Sequence, residues 1–275
     1  MTWEWDETLY AGSAAYYAQG RMRYPPELAN ALRDELSLDG SARLLDVGCG
    51  PGSLTLLLAP LFAEAVGVDA DRDMIAEAER EAGRLGIVNV TWVRLRAEEL
   101  PAGLGTFRVA TFAQSFHWME RERVAAAVRE MLEPGGAWVH VNATTHEGVV
   151  GAEGLPAPKP PRDGIRELVH AYLGDARRAG AGSLPDGPPS GEEDVMLAAG
   201  FPSPRRLKVA CSGIVERSED DVVASVFSLS SAAPHLFGGR LAEFETDLRE
   251  LLRATSPSGR FAERHRDIEL VVWRL

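Results

Sequence analysis

Apolar positions in the first half of the chain switch repeatedly between two periods. Leu44, Leu45 and Val47 form a short run of the kind that makes a strand buried on both faces. Leu54, Leu57, Leu58 and Leu61 then fall at i, i+3, i+4 and i+7, one face of a helix, with Ser53 placed to cap it. A second apolar run at 65–68 closes on Asp69. Met74, Ala78 and Leu85 predict an amphipathic helix over 71–85, and a third strand follows over 88–95. Residues 107–113 read as a fourth strand, and Val124, Val128 and Met131 mark a helix over 121–131. The EPGG turn at 133–136 leads into a fifth strand over 137–142. Strands alternating with helices in this order predict an α/β fold built on a parallel, doubly wound sheet.

The alternation stops after Asn142. Pro156, Pro158, Pro160 and Pro161 make 148–161 loop-like, and Ile165, Leu168, Val169 and Tyr172 then return at helical spacing. The stretch AGAGSLPDGPPSG at 179–191 holds no regular pattern and is expected to be mobile, as part of a lid over 148–191. Residues 192–199 are helical, 207–211 and 268–273 read as strands, and two helical patterns lie between them, Val222–Val226–Leu229 and Leu241–Phe244–Leu248–Leu251. Ahead of the first strand, Leu28, Leu32 and Leu36 mark a helix that starts at Pro25 and Pro26.

The chemistry concentrates between the first two strands. Gly48, Gly50 and Gly52 alternate there; lacking a Cβ, they reach positive φ and let a ligand approach the backbone. Asp46 and Asp69 lie near strand ends, where an open α/β sheet delivers side chains to a ligand crevice. A dinucleotide fingerprint requires a further glycine three residues beyond Gly50, and that position is Ser53, which disfavours an NAD-dependent oxidoreductase.

The form DVGCGPGS instead resembles the first motif of the class I S-adenosylmethionine-dependent methyltransferases, in particular the small-molecule enzymes. The resemblance implies a Rossmann-like, seven-stranded sheet, mostly parallel with an antiparallel last strand, plus a helical cap. It implies S-adenosylmethionine as cofactor, held by Asp46, Gly48, Gly50, Asp69, Ala70 and Met74, with Asp69 accepting both ribose hydroxyls as a carboxylate can. The run Tyr17, Arg21, Tyr24, Pro25 resembles the segment that closes over the methionyl end, so Tyr17 and Arg21 are expected there, the arginine facing the carboxylate of the cofactor. RAEELP resembles the adenine-binding segment with Arg96 where an acid is common, which moves the adenine contact to Ala97 and Glu98. Gln114 and Ser115, after the fourth strand, complete the expected cofactor set. The acid that often follows the phenylalanine of that strand is replaced by Arg108.

Methyl transfer depends mainly on alignment and needs a general base only when the acceptor carries a proton of high pKa. His117 is the candidate base, with a pocket-lining role as the alternative; Phe116, Trp118 and His146 are expected on the substrate side, and His140 and His235 are weaker candidates. Two alternatives to methyl transfer stay open: a cofactor-binding protein of the same fold acting as a cyclase or regulatory subunit, and the disfavoured oxidoreductase. No HExxH and no Cys–His cluster suggests a metal.

Composition narrows the partners. A net charge of −12 argues against broad binding to nucleic acid or to an anionic membrane. Cys49 and Cys211 are too few for a disulfide framework, and no apolar segment approaches the ~20 residues of a membrane span. The chain is therefore expected to be cytoplasmic, a monomer or homodimer acting on a small molecule. At 275 residues it divides into an N-terminal segment closing over the cofactor (1–42), a cofactor-binding core (43–145), a helical cap (146–200 and 217–262) and terminal sheet strands (201–216 and 263–275).

Overall fold

The apolar runs become strands whose two faces feed different cores. The computed structural model describes residues 8–149, 151, 153–174, 178–179, 182–183 and 191–275. Two helices, α1 (Ala14–Gly20) and α2 (Pro26–Leu36), precede β1 (Arg43–Val47). Then come α3 (Ser53–Leu58), β2 (Glu64–Asp69), α4 (Arg72–Leu85), β3 (Val90–Arg94), β4 (Phe107–Ala113), α5 (Arg121–Met131) and β5 (Leu132–Asn142). The second half holds α6 (Arg162–Leu173), the two-residue strands β6 (Arg178–Ala179) and β7 (Gly182–Ser183), α7 (Glu192–Ala198), β8 (Arg205–Val209) and β9 (Ile214–Ser218). It ends with α8 (Glu219–Phe227), α9 (Leu241–Thr255), β10 (Arg260–Arg264) and β11 (Ile268–Arg274).

Seven strands form one sheet in the order β3-β2-β1-β4-β5-β11-β8. The pairs from β3 to β5 are parallel, whereas β11 runs antiparallel to both β5 and β8. Strand order reverses between β1 and β4, which opens a crevice beyond their carboxyl ends. Side chains along β1 alternate: Leu44 packs with Leu28, Leu32 and Leu54 on one face, Leu45 and Val47 with Phe112 and Val124 on the other.

Several expected boundaries move for identifiable reasons. Ser53 does not cap α3: Gly52 occupies the cap position at φ +78°, and Ser53 is the first helical residue. The helix stops at Leu58, and Leu61 belongs to a tighter 3₁₀ turn over 59–61. The EPGG residues lie within β5 as an irregularity, since Leu132 pairs with Phe107 and Ala137 with Val109. Val88 is 92% exposed and stays outside β3, so the apolar run there overstates the strand. The strand expected at 207–211 is shifted to 205–209 by its pairing with β11. Most of 179–191 lies outside the described residues.

One pair of strands has no apolar signature. β9 and β10 pair antiparallel apart from the main sheet, and they bury charge. Arg162 Nη2 and Arg217 Nη1 donate to Glu263 Oε2 at 2.6 and 3.2 Å, with the Arg217 and Glu263 side chains 3% and 1% exposed. These two arginines hold the Glu263 carboxyl below its usual range against the opposing effect of burial. The network ties α6 to β9 and β10 beneath a separate cap core that includes Val226, Phe227, Phe244 and Leu248.

Removing one member of such a network strands buried charge. Glu263→Ala is expected to lower unfolding free energy by about 3–5 kcal/mol in urea titration. Asp163→Ala, which breaks the exposed pair with Arg166, should cost under ~1 kcal/mol. Comparable losses in the two variants would contradict the role given to Glu263.

Candidate functional site

The loop after β1 is shaped by what its glycines avoid. Gly48 sits at φ +68°, and a Cβ there would lie 2.5 Å from Ser115 Cβ. Gly52 is needed for packing, since a Cβ would fall 2.4 Å from the Trp92 ring. Gly67 on β2 leaves the other slot for the same ring, at 2.5 Å. Gly50 is different: it takes φ +54°, and a Cβ would meet nothing within 4 Å. The crest of the loop therefore faces open space.

Asp69 fixes that crest. Its Oδ2 accepts the Gly50 N–H at 2.8 Å, and its Oδ1 accepts the Asp71 N–H at 2.9 Å. Asp71 in turn caps α4, accepting from the Asp73 and Met74 amides. Burial pushes the Asp69 carboxyl up to about 6, so it is ionised at neutral pH. Two accepted bonds leave the carboxylate lone pairs for further donors.

Asp46 has a different task from the one expected. It is 1% exposed and does not line the cleft. Oδ2 accepts from the Thr55 hydroxyl at 2.6 Å and Oδ1 from the Thr111 hydroxyl at 2.8 Å, tying β1 to α3 and β4 beneath the loop. Burial raises this carboxyl to about 6 as well. Cys49 is buried under the loop, where desolvation holds its thiol protonated.

Beyond the carboxyl ends of β1, β2 and β4 lies a cleft of about 680 Å³. Ten of the expected residues line it: Tyr17, Gly48, Gly50, Asp69, Ala70, Met74, Ala97, Glu98, Gln114 and Ser115. Trp118, expected beside the substrate, lines it too. Tyr10, Leu95, Arg96, Ala113 and Met119 complete the lining without having been anticipated. Gln114 holds φ +55° at the end of β4, a backbone state uncommon outside glycine and concentrated at ligand sites. Glu98 Oε1 already accepts the Glu120 N–H at 2.9 Å, and Oε2 lies 3.6 Å from Arg96 Nε. Arg21 lies beside the cleft, on a smaller space of about 400 Å³ shared with Tyr17, Gly48 and Gly50. Its guanidinium stacks on Tyr17 at 4.5 Å and donates to Ser228 Oγ and O, both at 2.8 Å.

A family model described as "Methyltransferase domain" matches residues 44–136, the segment that builds this loop, Asp69 and the cleft floor. Over that segment the chain is similar to methyltransferase domains. Among curated relatives, an uncharacterized methyltransferase of Mycobacterium tuberculosis is 32% identical over 132 residues, 48% of this chain and 51% of that protein. The ubiquinone biosynthesis O-methyltransferase of Paraburkholderia phymatum is 32% identical over 149 residues, 50% of this chain and 63% of that protein. The chain thus spans about half the length of the first of these and somewhat more of the second. Its fold is similar to that of the [4+2]-cyclase SpnF, at TM-score 0.52 and 19% identity over 97% of this chain and 91% of the other.

The remaining expected residues lie outside this cleft. His117 and Phe116 line a second cavity of about 1030 Å³ that also takes in His140, Asn142 and Glu192, and that meets the cleft at Gln114 and Ser115. Phe116 is 2% exposed and packs edge-on against Phe112 and Trp138. Burial lowers the His117 pKa, leaving it neutral at pH 7. His140 Nδ1 lies 3.2 Å from Glu192 Oε2. His146 lines a third space, under the cap. Nothing in the sequence around Tyr10 signals a cleft; it reaches the lining from the N-terminal segment, whose helix α1 packs on α8. Among the described residues no group of three or more His, Cys, Asp or Glu side chains is placed to hold a metal ion.

The loop geometry separates two substitutions. Gly50→Ala should cost about 1–2 kcal/mol, the strain of a left-handed alanine. Gly48→Ala should cost clearly more, because the same strain is joined by the overlap with Ser115. Urea unfolding of both variants checks the order, and a larger loss at Gly50 would contradict this geometry.

Proposed function

We propose that this chain binds S-adenosylmethionine in the cleft and transfers its methyl group to a small-molecule acceptor. The observation that carries the reading is the Asp69 carboxylate, ionised, anchored through Gly50 and facing the cleft with acceptor capacity to spare. Such a group suits a ribose diol, which offers two hydroxyl donors. Ala70 and Met74 lie beside it on the ribose side, Ala97, Glu98 and Arg96 on the adenine side, and Gly48, Tyr17 and Arg21 toward the methionyl end. Bound there, the cofactor would supply a methyl group on a positively charged sulfur. The protein contributes alignment and the exclusion of water, which the enclosing Tyr10, Trp118 and Met119 side chains favour. The family match over 44–136 supports the same cofactor.

His117 is assigned here to the lining of the second cavity, not to proton transfer, because it does not line the cleft. The cyclase reading keeps one support, the similarity of fold to SpnF, which does not reach the chemistry.

Both points are open to measurement. S-adenosylhomocysteine should raise the melting temperature, and Asp69→Ala should remove most of that shift while the fold persists. Turnover of S-adenosylmethionine with an acceptor separates transfer from binding alone. Once an acceptor is known, His117→Gln should retain most of kcat; a loss of about 10²–10⁴-fold with cofactor affinity intact would restore His117 as the base.

A further inference from the structure

Besides Asp69, the cleft is lined by a charged pair, Arg96 and Glu98, where β3 gives way to a short 3₁₀ turn over Ala97–Glu99. The backbone there is fixed at two points. The Leu95 N–H donates to the Asp69 carbonyl at 2.9 Å, and the Arg96 N–H donates to Glu99 Oε2 at 2.9 Å. The Glu98 side chain is buried and clamped as well, its Oε1 accepting the Glu120 N–H at 2.9 Å.

The Arg96 guanidinium has no such clamp. Its Nε is buried without a hydrogen-bond partner, and its ion pair with Glu98 Oε2 is long, at 3.6 Å. Among the described residues none accepts a hydrogen bond from this guanidinium. A buried N–H left unpaired costs free energy that an acceptor atom on a ligand would recover. A guanidinium carries five N–H donors and no lone pair, so it recognises acceptors alone; a carboxylate oxygen recognises donors alone.

We propose that Arg96 reads the base of the cofactor through the acceptor atoms of that base, so that the cleft takes a 6-oxopurine in place of adenine. The inference rests on the cofactor reading above and goes beyond it by naming the residue that sets base selectivity. Along one edge adenine presents a ring nitrogen that accepts beside an exocyclic amine that donates. A 6-oxopurine presents the same ring nitrogen beside a carbonyl oxygen, two acceptors in a row. A guanidinium fits the second edge with two N–H bonds and the first with one. Glu98 Oε2, next to it, keeps an acceptor for the adenine amine, so the pair serves both bases. A pocket holding carboxylate acceptors alone would leave the carbonyl without a donor, a mismatch that hydrogen-bonding sites reject strongly.

Two thioethers that differ in the base, S-adenosyl-L-homocysteine and S-inosyl-L-homocysteine, test the assignment by calorimetric titration into the full chain. The inosyl compound should bind the unmutated protein within about tenfold of the adenosyl compound. Arg96→Leu removes the donors, and the ratio of the two dissociation constants should shift toward adenine by at least about fivefold, the lower end of what a bidentate contact to a base contributes. Arg96→Asp, which offers the amine an acceptor instead, should shift it at least as far. Arg96 is partly exposed and its guanidinium bonds to no described residue, so both variants should melt close to the unmutated protein in the absence of ligand. The ratio in either variant decides by itself, so one that fails to fold leaves the test standing. An inosyl compound bound more than about tenfold more weakly by the unmutated protein, or a shift under about fivefold in a folded variant, would overturn the proposal and leave the cofactor reading in place. No binding of S-adenosylhomocysteine to the unmutated protein would overturn the cofactor reading and the proposal with it.

Discussion

The carboxylate of Asp69 holding the backbone amide of Gly50 is the contact on which the shape of the cleft depends. Gly50 is the residue at the crest of the loop, free of neighbours on its outer side, and a residue so placed has no packing to define its position. The hydrogen bond from the end of β2 supplies that definition. It works because parallel pairing of β1 with β2 brings Asp46 opposite Gly67 and Val47 opposite Val68, so both strands end at the same level. One side chain thereby joins the loop to the start of α4 through Asp71, and does so with an acceptor still turned toward the cleft.

A second electrostatic device holds the other half of the molecule. The buried Glu263 carboxylate and its two arginines connect elements distant in sequence, and Arg217 also donates to the carbonyls of Gly20 and Asp221. The N-terminal helix, the cap and the strands β9 and β10 are thus joined at one place. Burial of charge of this kind is costly unless every group is paired, and here the pairing is dense.

The first half of the fold was legible because its signals are local. Alternating strands and helices through Asn142 follow from period, and the ends of α5 and β4 fall where the apolar spacing puts them. The turn with Asp69 beyond it pointed to the cleft because the spacing of glycines and acid is itself the geometry of the site. What stayed hidden depends on contacts far apart in sequence. Asp46 reads as a ligand residue, yet Thr55 and Thr111 close over it, and no local pattern announces two threonines converging on one carboxylate. Tyr10 and Met119 reach the cleft only through tertiary folding. β9 and β10 were hidden because Arg217 and Glu263, buried beside Phe261 and Ala262, carry charges that satisfy one another, which a hydrophobic pattern scores as surface. Gly52 looked like part of a ligand loop and is explained by the Trp92 ring beneath it.

The central claim is that an ionised Asp69 receives the cofactor, and the pH dependence of binding tests it most directly. Burial has raised this carboxyl to about 6, so the acceptor form predominates at neutral pH and is lost as the pH falls through that value. Calorimetric titration of S-adenosylhomocysteine between pH 8 and pH 5 should give a flat affinity down to the carboxyl pKa and then a loss approaching about tenfold per pH unit. Asp69→Asn should bind weakly and without that dependence. An affinity in the unmutated protein that stays constant to pH 5, or the same acid limb persisting in Asp69→Asn, would contradict the account.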